Sequence, residues 1–530
     1  MKNRNHALTI VAVSVLGLLA VGRFFNLSAD FPLGLTSYGA TYTDEGWWSR
    51  NAVALVREGN WYIDDGYNTI INLPTVPLMQ TLWFKLFGVS QAAARALTAT
   101  CSVIISALVY AIARRELKPA LAWIAPFIIL SSYPVFAFSR IALLEMPMLV
   151  LILLSLWLII SPTIKRHTLQ NSLIQTKESK GSKNRGRSQL LAELAIVTSA
   201  LLTVLAILAK TTALFVPPML LALLALQPGS PRKKIYQGTL WLIAFIAAYG
   251  LYYAFSTHAS AQSTESYQYF ATYNVTNKLH TNLISLIKGP LRVVKYCIEV
   301  FPMLFSALVI AIITLATQKR YRASTLFQIV VLWSVLFLGG LSASDYAAPR
   351  YLVVLIVPIA LSVPLALSHF SQRHTPTFLE RLHNKPNIKR AAFFMLVPLS
   401  VLLSLFRISG YLLTPDYSFI SMAQQVEYTV AAAPDHSPIL MGHFADSLAL
   451  ATDIKAINDE MGYQPLSYRI EKFNPGYYIC VGEMKDSVAE TLEQYYEIAL
   501  LKQFDVYQNY DYGEPVFFYQ LTPKTSLSVG

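Results

Sequence analysis

Apolar runs of membrane-crossing length recur along this chain, separated by short polar connectors. A run of roughly 18 or more apolar residues is what a helix needs to cross a bilayer. The first covers Ala7–Val21, behind Lys2 and Arg4; ten more lie at about 91–113, 119–138, 141–161, 190–209, 212–227, 237–257, 297–317, 323–341, 351–369 and 391–413. Ala20-Val21-Gly22 offers a small-x-small pattern of the kind a signal peptidase cuts. We read the segment as a retained anchor, because an acidic stretch follows so closely. The connectors test the count, since short cytoplasmic loops collect lysine and arginine. With the N-terminus inside, the segments 1–6, 114–118, 162–189, 228–236, 318–322 and 370–390 hold 23 of the 42 basic residues, against only Glu116, Glu178 and Glu380. The pattern therefore predicts a mostly α polytopic protein of eleven spans, N-in and C-out.

What remains faces out: a first loop (about 25–90), a loop of about 258–296, turns near Arg140, Lys210 and Arg350, and the tail from Thr414. The tail holds 16 acidic and 6 basic residues and no spanning run. Helical periodicity at Tyr417–Ala432 and Asp486–Ala499 mixes with strand-like runs at Pro438–Gly442, Tyr477–Val481 and Val516–Leu521. The expected organisation is a transmembrane domain over 1–413 and a small extracytoplasmic α/β domain over 414–530. Residues 168–189, rich in Ser, Lys, Asn and Gly, read as a disordered cytoplasmic loop.

Composition agrees: 54% hydrophobic and 14% charged residues is too apolar for a soluble protein. The net charge of +12 follows from loop orientation and implies no nucleic acid. Cys101, Cys297 and Cys480 are far apart and form neither a disulfide framework nor a metal spacing.

The densest candidate chemistry is Thr43-Asp44-Glu45-Gly46-Trp47-Trp48-Ser49-Arg50-Asn51 in the first loop. Thr43 can cap a helix whose first turn carries both acids, and Gly59 can end it. Trp47, Trp48, Ala52, Leu55 and Val56 give that helix an apolar face suited to the membrane interface. Taken alone, first-turn acids simply complement the helix dipole, and Asp64-Asp65-Gly66 reads as a turn. Ser139-Arg140…Glu145 lies where two spans meet at the outer surface. A snorkelling arginine paired with Glu145 would explain it, yet an acid in an apolar stretch usually faces a cavity or pathway. Lys210 ends one span on the same side, and Arg350-Tyr351 opens another after Asp345-Tyr346-Ala347. Leu279, Leu283 and Leu286 mark a second interfacial helix. Lys288, Arg292 and Lys295 follow at helical spacing, with Gly289-Pro290 expected to set Lys288 apart in its own helix. Cations on an outer surface call for an anion, and lipid phosphate is the obvious one.

These features fit one reaction. A sugar on a polyprenyl phosphate has an ionised leaving group that needs cationic donors, while the acceptor hydroxyl needs a carboxylate base. Direct displacement inverts the anomeric centre. The order Asp44-Glu45, Phe87-Gly88-Val89-Ser90…Ala94-Arg95, Ser139-Arg140…Glu145, Leu208-Ala209-Lys210-Thr211 and Arg350-Tyr351-Leu352…Pro358 resembles the GT-C membrane glycosyltransferases. The similar members are protein O-mannosyltransferases, lipid A aminoarabinose transferases and RgtA/B/C/D-type sugar transferases.

The resemblance implies a polyprenyl-phosphate donor, a catalytic acid at Asp44 and a second functional acid at Glu145, where aspartate is usual. It implies an acceptor that is protein, lipid or glycan, and a plasma (inner) membrane protein working on its outer face. Leu73-Pro74 stands where the aminoarabinose transferases carry Lys-Pro, so phosphate binding falls to Lys210, Arg292, Lys295 or Arg350. Arg140 and Tyr351 complete the expected binding set, and Glu45 remains a metal ligand, acceptor contact or helix cap. A divalent cation shared by Asp44 and Glu45 is left open. A secondary transporter would instead place ionisable groups at mid-membrane with repeat symmetry. A non-catalytic assembly subunit would bind no donor.

Overall fold

The computed structural model describes residues 2–32, 35, 43–64, 68–160, 182–259, 283–344, 348–372, 388–460, 464–508 and 513–524. The chain divides into two compact units. One comprises Met1–Gly22, Thr100–Phe136 and Glu145–Ser409, the other Arg23–Ala99, Ala137–Leu144 and Gly410–Gly530. The first-loop residues thus group with the C-terminal segment.

Among the described residues six helices are long and apolar enough to cross a membrane: Gln91–Ala113, Gln189–Ala209, Pro231–His258, Thr325–Ser342, Pro349–Phe370 and one within Ile388–Ala431. A seventh span is counted if Ile287–Val300 and Pro302–Ala316, bent by 118°, are taken together. Four shorter apolar helices, Ile10–Phe24, Pro119–Ser131, Glu145–Ile159 and Thr211–Leu226, occupy the other expected segments. The protein is a multi-pass membrane protein.

Three of the expected segments differ in detail. The 119–138 stretch is cut into Pro119–Ala122, Ile124–Ser131 and Tyr133–Phe138. Ser132 is extended (ψ 121°), and Pro134 lacks the N–H that a continuous helix would use there. The 141–161 segment becomes helical only at Glu145. Pro290 does not divide its neighbourhood: Leu283–Val300 is one helix with the proline inside, so Lys288, Arg292 and Lys295 share it. The break comes at Phe301 (φ −130°, ψ 59°), and the Leu283–Val300 helix turns steeply away from Pro302–Ala316. Leu279 and Asp345–Ala347 lie outside the described residues, as do the side chains of Leu283 and Leu286 and positions 168–181 of the 168–189 loop. From Ser182 that loop is already helix.

Small residues let these helices approach closely. Ala307, Ala311, Val363 and Ala366 pack with Phe370 and Phe393 in one buried cluster. Hydroxyls join others: Ser155 Oγ lies 2.8 Å from Ser199 Oγ and 2.9 Å from Thr203 Oγ1, and Trp241 Nε1 donates to Ser199 Oγ at 3.3 Å. Each such bond in apolar surroundings contributes about 0.6–2 kcal/mol.

The second unit carries a five-stranded sheet of order β2-β1-β3-β5-β4. The strands are β1 (Leu440–Met441), β2 (Ala456–Ile457), β3 (Tyr477–Val481), β4 (Tyr496–Phe504) and β5 (Val516–Pro523). β1 is parallel to β2 and β3; β3–β5 and β5–β4 are antiparallel. Strand alternation sends Tyr478 and Cys480 into a core with Met441, Ile457, Ile470, Leu492, Tyr496 and Leu521. The expected helix Asp486–Ala499 stops at Glu493, and Tyr496–Phe504 is strand. Glu-Ile-Ala-Leu-Leu-Lys is a good helix former, but the long ladder with β5, from Tyr496↔Pro523 to Phe504↔Val516, overrides that preference.

Candidate active site

In the second unit the first-loop helix runs Glu45–Arg57, one residue later than a Thr43 cap would place it. Asp44 holds the N-cap position with helical backbone angles (φ −64°, ψ −36°), and its carboxylate makes no capping hydrogen bond. Past the C-cap Glu58, Gly59 takes φ +74°, the left-handed turn expected to end the helix. Gly46 lies against the Ala445–Ala451 helix: a Cβ there would meet Ser447 N at 2.1 Å and Asp446 C at 2.3 Å. Only glycine permits that approach.

The two neighbouring acids have different environments. Glu45 is 3% exposed, so its charge requires full pairing. Arg95 supplies a bidentate bond, Nε to Oε1 at 2.8 Å and Nη2 to Oε2 at 2.5 Å. Gln91 Nε2 (3.2 Å) and the Ala142 amide (2.8 Å) add two more donors. That amide bond ties down the Ile141–Leu144 segment, which precedes the Glu145–Ile159 helix. Arg95 also donates to the Leu27 and Ala29 carbonyls at 2.8 and 2.6 Å. Asp44 is half-buried, and Trp47 and Trp48 are half-buried rings 4.5 Å apart. Ala52 and Val53 pack on Phe84, Ala93, Ala94, Ala142 and Leu450, so this face is covered by protein.

Buried polar bonds fix the rest of the loop. Asn51 Nδ2 donates to Trp61 O (2.7 Å) and Asn68 Oδ1 (2.8 Å), and its Oδ1 accepts from Thr69 Oγ1 at 2.9 Å. Asp64 lies in a turn; Asp65 is outside the described residues. Arg140 is buried and donates to Arg23 O (2.8 Å) and Asn26 O (2.6 Å), with the Tyr411 ring 5.1 Å from its guanidinium carbon. Asp30 accepts from the amides of Ser418 (3.0 Å) and Phe419 (3.1 Å), and so caps the Ser418–Ala431 helix from a distant part of the chain. Burial holds its pKa above the usual carboxylate value, against the lowering effect of those bonds.

In the first unit, four candidates come together. Glu145, 3% exposed, accepts from Lys210 Nζ at 2.7 Å on Oε1, and Arg350 Nε lies 3.8 Å from the same oxygen. Tyr351 lies beneath both cations, its ring centre 4.2 Å from Lys210 Nζ and 5.5 Å from the Arg350 guanidinium carbon. Glu145 Oε2 is buried and makes no hydrogen bond among the described residues. Backbone breaks aim these groups. Lys210 is extended (φ −162°, ψ 132°) between the Ser182–Ala209 helix and a 3-10 turn at Thr211–Phe215, and Arg350 lies in the 3-10 segment Pro349–Leu355. Arg292 and Lys295 do not join the cluster. Arg292 donates to the Ser344 carbonyl, and Lys295 is exposed beside Glu299 (3.7 Å).

Among the described residues no three His, Cys, Asp or Glu side chains form a group that could hold a metal. Both Glu45 oxygens are occupied by a guanidinium, which opposes a cation on the same carboxylate. A cation shared by Asp44 and Glu45 does not fit this arrangement. Arg95 and Asp30 are the residues whose roles the sequence leaves unassigned. Arg95 stands in the Ala94-Arg95 pair that carries the family resemblance, whereas Asp30 has no local signal.

Residues 72–174, which include Arg95, Arg140 and Glu145, match the family model of dolichyl-phosphate-mannose-protein mannosyltransferases. No curated protein matches the chain in sequence. Among solved structures it is similar to ArnT from Cupriavidus metallidurans bound to undecaprenyl phosphate, over 96% of this chain and 97% of that one, at 12% identity and a TM-score of 0.57. It is also similar to the Archaeoglobus fulgidus oligosaccharyltransferase tethered with an acceptor peptide containing the NVT sequon, over 97% of this chain and 74% of that one (12% identity, TM-score 0.54). The same archaeal enzyme, AglB, in complex with an inhibitory peptide and a dolichol-phosphate matches over 97% and 74% at 13% identity and a TM-score of 0.53. The chain has the fold of the GT-C membrane glycosyltransferases.

Proposed function

We propose that the protein is an inverting glycosyltransferase that moves one monosaccharide from a polyprenyl-phosphate donor to an acceptor hydroxyl on a glycan, lipid or protein. The observation that carries this reading is the convergence of Lys210 and Arg350 on Glu145 Oε1 over the Tyr351 ring. The matching family model and the solved lipid-phosphate complexes of ArnT and AglB support it.

In this reading Asp44 takes the acceptor proton as the acceptor oxygen attacks the anomeric carbon. The bond from that carbon to the phosphate oxygen breaks, and polyprenyl phosphate departs with the electron pair. Lys210 and Arg350 hold the departing phosphate, where two charge-assisted donors replace a general acid. Glu145 Oε1 keeps the two cations in place, and Oε2 accepts from a donor-sugar hydroxyl. Glu45 is a positioning residue, locked by Arg95 so that Asp44 is presented from a fixed helix start. Arg140 positions the 23–26 segment. We adopt with this reading the eleven-span, N-in topology, with the reaction on the outer face of the inner membrane.

Undecaprenyl-phosphate binding by the purified chain tests it. Lys210→Gln and Arg350→Gln should each weaken binding about 10- to 150-fold, the loss of one hydrogen bond to a charged group (about 1.5–3 kcal/mol). Unchanged affinity in both variants would remove the assignment of the cations.

A further inference from the structure

Within the second unit, a cavity of about 480 Å³ opens between the Glu45–Arg57 helix, the Asn60–Asp64 loop and the C-terminal residues around β2 and the Leu466–Phe473 helix. Its volume falls in the ~300–1,000 Å³ range of small-ligand sites.

Arg50, 6% exposed, lines the cavity, and among the described residues its Nε and Nη1 make no hydrogen bond. Its nearest carboxylate is Asp446, 3.6 Å from Nε to Oδ1; Asp446 Oδ2 is held by Asn458 Nδ2 at 3.2 Å. A buried guanidinium left short of acceptors is costly unless something supplies them. The other two arginines on the wall are anchored to backbone. Arg57 donates to Ala449 O at 2.7 Å, and Arg469 donates to Asn458 O at 2.8 Å.

We infer that this cavity binds sugar residues of a glycan acceptor, away from the reacting hydroxyl. The lining carries four basic and four acidic side chains, so its charge balances. That balance disfavours a polyphosphate or a free cation and suits a ligand whose groups both donate and accept. Vicinal hydroxyls do this, and Arg50 beside Asp446 offers a donor and an acceptor side by side. Tyr62 and Phe473 supply rings for the apolar face of a sugar. Arg50 is six residues along the helix from Asp44, about 9 Å at 1.5 Å per residue, a distance that a short oligosaccharide bridges. Binding energy gathered here would orient the acceptor at the base. The inference rests on the glycosyltransferase reading and adds the acceptor class to it.

The test is retention of the purified full chain on an array of immobilised neutral and uronic-acid oligosaccharides, with undecaprenyl-phosphate binding measured on the same preparations. Wild type should hold a set of neutral glycans. Arg50→Met and the cavity-filling Ala456→Trp should each reduce that signal about ten-fold or more. Ala456→Trp removes no buried partner, so it answers for the site even where Arg50→Met fails to fold. Retention of uronic acids alone, or of neutral glycans undiminished in Ala456→Trp, overturns the inference. Lipid phosphate bound with no glycan retained overturns it while sparing the transferase reading. Neither bound overturns both.

Discussion

Glu45 and Asp44 are adjacent acids in different surroundings, and the positioning role proposed for Glu45 makes a prediction about stability. Arg95→Met removes the partner of a carboxylate whose side chain is 4% exposed. Breaking a buried ion pair from one side costs about 3–5 kcal/mol, because the remaining charge stays buried. Glu45→Gln keeps shape and one acceptor oxygen, and costs about 1.5–3 kcal/mol for the one charge-assisted bond that the amide nitrogen cannot accept. For a unit of this size, about 2–4 °C of melting shift accompanies each kcal/mol. Arg95→Met should therefore lower the midpoint by roughly 6–20 °C, and Glu45→Gln by roughly 3–12 °C. The assay is loss of monodisperse protein after heating, followed by size-exclusion chromatography of purified samples. A Glu45→Gln protein as stable as wild type, or more so, would refute the positioning role. It would mark Glu45 as a strained functional acid instead.

Two further outcomes follow from the second unit. Gly46→Ala drives a methyl group to 2.1 Å from the Ser447 amide nitrogen, backbone that cannot swing aside, so stability should fall by about 1–3 kcal/mol or more in the same assay. Asp459, buried with Oδ1 lacking a hydrogen bond, is held above the usual carboxylate pKa chiefly by that burial. The folded state then keeps this proton more tightly than the unfolded chain, and stability falls as pH rises through the folded value. His443 opposes it: burial holds its pKa below 6.5, so its contribution is lost as pH drops from about 6.5 through the lower folded value. Asp459→Asn should raise the melting midpoint relative to wild type at neutral and alkaline pH, and the difference should close in acid. A difference that stays constant with pH would contradict the assignment.

The sequence pattern made the apolar helices legible because run length alone marks them, and it missed where they break. Ser132 and Phe301 interrupt helices at positions set by proline and by packing, not by hydropathy. Loop charge put Lys210, Glu145, Arg350 and Tyr351 on one side of the membrane, but together with Asp44, Arg140, Arg292 and Lys295, and nothing in the sequence singled out the four that meet. That Arg350 and Lys210 share one oxygen of Glu145 depends on backbone breaks far apart in sequence. Glu45 looked like half of an acidic pair because Arg95, fifty residues away, carries no local sign of where it reaches. Tyr496–Ala499 reads as the end of a helix for a related reason, since the ladder that makes it strand comes from a segment some twenty residues on.

The central claim, that this chain transfers a lipid-linked sugar with Asp44 as base, is tested most directly by mass spectrometry of glycans and glycolipids in a deletion strain. One sugar should be missing. Wild type should restore it, and Asp44→Asn, present at equal level in the membrane, should restore about 10²- to 10⁴-fold less turnover, as loss of a general base implies. Full restoration by Asp44→Asn, or a deletion strain with every glycan intact, would contradict the account.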